Sequence, residues 1–259
     1  ISSTAPGERV PSAAISNPDA DLLERMLAAG EAVRMELELD VGYEGRAVSH
    51  NVIGEFDGNG ESDEFVIVGG HLDSWDLGAG AHDNAAGVAT TMAAAALAAG
   101  FSERPRRGIR VVLFANEEQG IYGGKEYARL AEAELGRHAV GAESDLGAGA
   151  VRFFRARVLP EAEPAVAELA AWLEPLDIPL RNDRPATGGA DLGNLRRLGM
   201  PVIDLGHDAS LYFDVHHTAN DTLDKIIPGE LAHNVAAFAT FIWWAANADV
   251  QFGPVPPSE

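Results

Sequence analysis

The 259-residue sequence contains no cysteine. Disulfides and thiolate metal sites are therefore excluded, any metal would have to be held by His, Asp and Glu, and redox compartment cannot be read. Basic residues are scarce. The 19 Lys and Arg stand against 40 Asp and Glu, giving a formal charge of -21, and Lys125 and Lys225 are the only lysines. Nucleic acids and anionic membranes are bound by clustered Lys and Arg, so neither is expected as a partner. A membrane span is not expected either. The apolar run from Val235 to Ala246 is interrupted by Thr240 and falls short of the roughly 18 residues a span needs, so it reads as a buried helix. The chain starts at Ile1 without a basic-then-apolar leader. It reads as processed or as a fragment, with any signal peptide out of view.

What is present is the composition of a globular enzyme-sized domain. A hydrophobic fraction of 46% is enough for a sizeable core, in one large α/β domain or one domain with a piece of another. Residues 1 to about 30 are rich in Pro, Ser and Ala, with a short helical pattern from Asp19 to Leu27. Val33 to Asp40 (VRMELELD) alternates with period two and predicts a half-buried strand. A strand at about Asn51 to Phe56, the turn Asp57-Gly58-Asn59-Gly60 and a strand at 64–68 predict antiparallel neighbours at a sheet edge. Strands and helices then alternate. Strands are expected at 108–115 (GIRVVLFA), 139–144, 152–158 and 201–205. Helices are expected at 84–99, with Asn84 as N-cap, and at 123–135, 164–173, 191–198 and 229–247. There is no internal repeat. The pattern predicts a three-layer α/β/α sandwich with a mostly parallel mixed sheet.

Chemistry-bearing residues fall just after the predicted strands. His71, Asp73 and Asp83 follow the first, in VIVGGHLDSWDLGAGAHDNAAG (66–87). Glu117-Glu118 follow VVLFAN, Glu143-Ser144-Asp145 follow the strand at 139, and His216-His217 with Asp221 follow the last. In a parallel sheet these loops open on one edge. A single His or Asp at a strand end more often caps a turn or meets solvent than binds metal. Four such sets without nearby Lys or Arg are different, because converging carboxylates repel unless a cation neutralises them. The donor types suit a di-cation site of Zn²⁺, or alternatively Mn²⁺ or Co²⁺. Asp76, His82 and His207 read as structural, Trp75 as pocket wall or core, and Trp243-Trp244 as core.

The set GGHLDSW (69–75), AHDNAAG (81–87), ANEEQG (115–120), ESD (143–145), GGADLGNLRRLGMP (188–201) and HHTANDT (216–222) resembles the successive motifs of the co-catalytic zinc exopeptidases. Its wording is nearest the carboxypeptidase Q branch and its bacterial relatives. The resemblance covers about residues 45 to 250 and implies the zinc exopeptidase (phosphorylase/hydrolase-like) fold. It implies a tail of an upstream protease-associated domain or linker at 1–40, a catalytic domain at 41–251 and a C-terminal tail at 252–259. Two Zn²⁺ per chain would be held by His71, Asp83, Glu118, Asp145 and His217, with Asp83 shared. His217 is chosen over His216 on the spacing H-x-x-x-D-T. Glu117 would be the general base and Asp73 would fix the ring of His71. Asp191 and Tyr212 would line the substrate pocket, and the Asp83–Asn84 peptide would be strained, even cis. The implied activity is removal of N-terminal residues from peptides, or cleavage of dipeptides, by a secreted or periplasmic protein, with a homodimer suggested. Two alternatives stay open: a glutaminyl cyclase with one working zinc, and a catalytically silent receptor or scaffold domain. Five intact ligand positions and the base argue against the second.

Overall fold

The computed structural model describes residues 12–40, 42 and 45–256. The expected tails at 1–40 and 252–259, and the expected domain start at 41, lie partly outside the described residues. The chain divides into two units, Ile1–Val48 and Ser49–Glu259.

In the first unit, α1 (Asn17–Ala28) begins where the Ser16 hydroxyl accepts the Asp19 N–H at 3.3 Å, with Pro18 in the first turn. Such a side-chain cap satisfies a donor that has no partner within the helix. The expected strand at Val33–Asp40 is not formed. The segment is irregular, and Met35, Leu37 and Leu39 are exposed. Period-two alternation specifies which side chains would share a face, but a strand also needs a neighbour for its main-chain groups. Among the described residues none pairs with it.

The second unit carries β1 (Val52–Phe56), β2 (Phe65–His71), α2 (Ala86–Ala99), β3 (Gly108–Phe114), α3 (Tyr122–Ala131), β4 (His138–Glu143) and β5 (Val151–Arg157). It continues with α4 (Glu163–Leu173), α5 (Gly193–Arg197), β6 (Val202–His207), α6 (Tyr212–Val215) and α7 (Pro228–Asn247). The six strands form one sheet in the order β1-β3-β2-β4-β6-β5. β2, β3, β4 and β6 are parallel, while β1 and β5 run antiparallel at the two edges. The antiparallel edge at the start is as expected, but its neighbour is not. β1 pairs with β3, which inserts between β1 and β2, so the Asp57–Gly60 turn does not close a hairpin.

The side chains of β2 show why the sheet is covered on both faces. Val66 and Val68 join a core with Ala94, Ala95 and Ala98 of α2, Leu169 of α4 and Phe238 and Phe241 of α7. Phe65 and Ile67 point the other way, into a core with Tyr127 and Ala128 of α3 and Leu195 of α5. Alternate residues of an extended strand face opposite ways, so a continuous apolar run fills two cores. The fold is the three-layer α/β arrangement expected. Trp244 is fully buried, as expected, whereas Trp243 is half-buried and meets Phe101 edge-on with ring centroids 4.7 Å apart.

One buried cation fastens α7 to the sheet. Arg107, 2% exposed, pairs through Nε with Glu64 at 2.7 Å. Its Nη1 donates to the carbonyls of Ala245 and Ala248 (3.0 and 2.6 Å), and its Nη2 to that of Val250 at 2.7 Å. Cationic donors at a helix C-terminus satisfy carbonyls that have no partner within the helix. Arg107→Met would leave those carbonyls and Glu64 without their partner. The expected loss is about 3 kcal/mol of unfolding free energy, read as a lower urea midpoint at unchanged m-value; an unaltered midpoint would contradict the role given to Arg107.

Candidate metal centre

β2 ends in Gly69-Gly70-His71, and its last residue turns inward at the carboxyl edge of the sheet. Gly70 is required by close packing, because a Cβ there would meet the Asn84 side chain and the Ser144 carbonyl at 3.0 Å. The loop passes Gly80 (φ 69°) into a single wide turn at Ala81–Ala85 that carries Asp83. The Asp83–Asn84 peptide is cis. The N-cap of α2 is Ala85 rather than the expected Asn84, which stands one residue earlier and still meets the first turn. The Asn84 amide oxygen accepts the Gly87 N–H at 3.2 Å, and its Nδ2 donates to the Ser144 carbonyl at 2.8 Å. The second contact ties the turn to the end of β4.

Three further loops complete the cluster. Glu117 and Glu118 follow β3, Asp145 follows β4, and His216 and His217 follow α6, a short helix beyond β6 that the sequence did not suggest. His71 Nε2 lies 3.1 Å from Asp83 Oδ1 and 3.0 Å from Asp145 Oδ1. His217 Nε2 lies 3.3 Å from Asp83 Oδ2 and 2.9 Å from Glu118 Oε2. Each oxygen of Asp83 thus has its own histidine, and each histidine its own second carboxylate. His216 Nε2 is also 3.4 Å from Asp83 Oδ2, but only His217 reaches Glu118 as well. The His217 ring is held in a stack, with Trp75 on it at 4.5 Å and 12° and His216 at 3.6 Å and 23°. Trp75 is therefore a wall of the cluster.

Other acids hold the turns that carry these donors. Asp73 Oδ1 and Oδ2 accept the N–H groups of Glu117 and Glu118 at 2.9 and 3.1 Å. The ring of His71 is fixed by the main-chain carbonyl of Asp73, 2.9 Å from Nδ1, while the Asp73 carboxylate stands off at 3.6 Å. Of the two Asp73 groups beside the ring, the main-chain carbonyl is the nearer. Glu143, one residue before Ser144, accepts the N–H groups of Ala190, Asp191 and Leu192 at 3.0, 3.2 and 2.7 Å. Asp221 accepts those of His82 and Asp83. The sequence placed Glu143 and Asp221 at strand-end loops without giving them a task. The signal was their position beside Gly-rich or ligand-bearing turns.

Asp191 and Tyr212 are both buried, at 1% and 6% exposure. Burial and the nearby charges of Asp83 and Asp145 raise the Tyr212 hydroxyl, and Asp191 packs against Gly124 at the start of α3. His82 and His207 bond main-chain groups and stay structural, and Asp76 is exposed.

The electrostatics are those of an acid cluster short of positive charge. Among the described residues, every ion pair made by Asp73, Asp83, Glu118 and Asp145 is with a histidine. Burial, then the charges of Asp145 and other nearby acids, pushes Glu117 up to about 7. Burial and Asp83 push Glu118 to about 7. Burial likewise raises Asp145. Burial opposes the charged form of His71, yet its hydrogen bonds to Asp145, Asp73 and Asp83 raise it. A proton on His71 thus stands where a cation would serve. The donors fit a metal. His71, Asp83 and Glu118 offer ligand atoms within 4.8 Å of one another, as do Asp83, His216 and His217. Glu118 Oε1 is buried without a hydrogen-bond partner. Nitrogen and carboxylate donors of this kind suit Zn²⁺.

A mixed α/β sheet whose carboxyl edge gathers imidazoles and carboxylates around one shared aspartate defines an α/β architecture with a candidate metal centre. The sequence model of peptidase family M28 matches residues 51–242, and the chain belongs to that family. Carboxypeptidase Q of Xenopus laevis is 33% identical over 215 residues, covering 83% of this chain and 45% of that protein. The crystal structure of a peptidase M28 precursor from Shewanella amazonensis superposes with a TM-score of 0.88 at 48% identity, covering 94% of this chain and 55% of that one. A zinc aminopeptidase from Bacillus subtilis shares the fold, with a TM-score of 0.62 at 21% identity over 77% of this chain and 50% of that one. The chain spans about half the length of the curated relatives it matches.

The protonation pattern makes a prediction for the metal-free protein. Glu117 and Glu118, raised to about 7, Asp191, raised to about 8 by burial and then the Glu117 charge, and His71, also raised, all bind protons more readily folded than unfolded. His138 and His207, lowered to about 4 by burial, act in the opposite sense only below their unfolded value near 6.5. Above that pH the folded state holds the extra protons, so stability falls as pH rises. The melting temperature without metal should therefore drop between about pH 6.5 and 8. Saturating Zn²⁺ should remove or reverse the drop, since a cation replaces those protons. A metal-free melt that rises across this window would contradict the assignment.

Proposed function

We propose that this chain is the catalytic domain of a di-zinc metallo-exopeptidase that removes N-terminal residues from peptides or cleaves dipeptides. The observation that carries this reading is Asp83. Its two oxygens face separate histidine–carboxylate pairs, His71 with Asp145 and His217 with Glu118. Membership of the M28 peptidase family and the likeness to carboxypeptidase Q support it.

In this reading His71, Asp145 and Asp83 would hold one Zn²⁺, and Glu118, His217 and Asp83 would hold the other, with Mn²⁺ or Co²⁺ as substitutes. When bound, such a pair lowers the pKa of water and polarises a carbonyl. Glu117 takes the proton from the attacking water and delivers it to the leaving amine. In the metal-free protein burial and the charge of Asp145 push Glu117 up to about 7, and bound cations would offset the part that comes from the neighbouring acids. Asp73 keeps Glu117 and Glu118 side by side through their N–H groups, one as base and the other as ligand. Asp191 and Tyr212 bound the substrate pocket. On the resemblance alone, the reading extends to a secreted or periplasmic homodimer in which residues 1–40 close an upstream protease-associated domain. No described helix is long and apolar enough to cross a membrane.

Glu117→Gln keeps the shape and removes the base. Hydrolysis of aminoacyl-nitroanilides and of free dipeptides is expected to fall by about 10²- to 10⁴-fold, with the zinc content measured by atomic emission unchanged at two per chain. Wild-type-like turnover in that variant would remove Glu117 from the mechanism. Chelation should abolish activity and lower the melting temperature, and a chelator-resistant enzyme would refute the metal reading.

A further inference from the structure

The loop after α6 carries a second buried acid whose task is set by geometry. Asp221 is 2% exposed. Its Oδ1 accepts the His82 N–H at 2.6 Å and its Oδ2 accepts the Asp83 N–H at 3.0 Å. The two donors are consecutive and belong to the turn that presents Asp83. The carboxylate that receives them comes from 138 residues further along the chain.

Asp221 is also part of the structure that presents His217. Its own N–H donates to the Thr218 carbonyl at 3.1 Å, and the Thr218 N–H and hydroxyl both donate to the Val215 carbonyl at 3.0 and 2.7 Å. Residues 215–221 are therefore a closed double turn with His217 inside it. One side chain joins this double turn to the main chain of residue 83. A shared carboxylate works only if each oxygen is aimed at its own partner, which requires the backbone of residue 83 to be fixed about its own axis. Asp221 holds the N–H of that residue and of the one before it.

We propose that Asp221 is the positioning residue of the centre: it locks the orientation of the shared ligand Asp83 and sets its separation from His217. The proposal rests on the di-zinc reading for its activity readout, but the hydrogen bonds themselves do not. The chemistry requires a carboxylate. Two converging N–H donors need two acceptor oxygens, and an asparagine offers one acceptor and one donor, so its NH₂ would confront an N–H. The acid adds negative charge beside Asp83, which favours cation binding further.

The test is Asp221→Asn, nearly the same in volume. Zn²⁺ affinity, measured against a metal buffer, is expected to weaken by about 10- to 100-fold for one of the two ions, with kcat falling to match and KM within about twofold. The circular-dichroism melt of the metal-free variant should stay cooperative. A merely structural residue would lower the melting temperature and leave zinc stoichiometry and kcat alone, and that result overturns the proposal. A second measurement needs no variant. In metal-free wild-type protein, amide exchange of a peptide covering 81–84 should be far slower than that of the 57–63 turn. Equally fast exchange overturns the role of Asp221 whatever the variant does. If the wild type binds no zinc, the di-zinc reading fails, and the exchange result alone decides on Asp221.

Discussion

Carboxylates that accept neighbouring main-chain N–H groups are the interaction on which the rest of this site depends. Asp73 receives two such donors from the Glu117-Glu118 turn, Asp221 two from the Asp83 turn, and Glu143 three from the 190–192 turn. Asp204 in β6 does the same for Thr187 and Gly188, both at 2.8 Å. Bonds to an ionised acceptor are shorter and stronger than neutral ones. Short loops bearing like charges would otherwise splay apart, since each donor carboxylate repels the others. The acids of the site therefore fall into two groups. One points at the shared centre, and the other points away from it into the backbone that carries the first.

The sheet makes that arrangement possible by bringing the loops to one edge at close range. β2 is buried along its whole length, and its neighbours β3 and β4 each deliver a carboxylate loop beside it. Small residues set the spacing. Gly87 sits where a Cβ would collide with the Ser144 carbonyl and the Asn84 side chain, so the start of α2 presses directly on the end of β4. The alanines at 94, 95 and 98 have no exposed surface and let α2 lie close over β2, with α7 packed against it. A larger side chain at these positions would push the Asp83 turn away from Asp145.

The features legible in the sequence are those in which one residue's pattern determines its own environment. GIRVVLFA could be read as a strand buried on both faces because its apolar run is continuous, and β3 is that strand. His71, Asp83, Glu118, Asp145 and His217 could be read as one cluster because each follows a strand, and they do converge. Pairing partners are less legible. Val33–Asp40 alternates like a strand but pairs with no strand among the described residues, and Asp57–Gly60 turns the chain without closing a hairpin, because β3 takes the place between β1 and β2. The division of labour among acids was the least legible. Asp73 and Asp83 lie in one loop, yet one accepts backbone N–H groups while the other is shared between two histidines. Only the direction of the N–H donors, a property of folded backbone, separates the two roles.

This division also bears on how His71, Asp83 and Glu118, and likewise Asp83, His216 and His217, bring ligand atoms within 4.8 Å of one another. A site whose ligands were gathered by the ion itself would have loops without internal restraint, and metal binding would be coupled to their folding. Here the turns are closed by hydrogen bonds that do not involve the donor atoms. The burden of gathered charge is then met by protons, on His71 and on the raised acids Glu117, Glu118 and Asp145. In the proposed di-zinc reading, binding a cation at such a site would be chiefly an exchange of protons for metal. The cost of assembling like charges lies in the fold, where Asp73 and Asp221 offset it through the backbone.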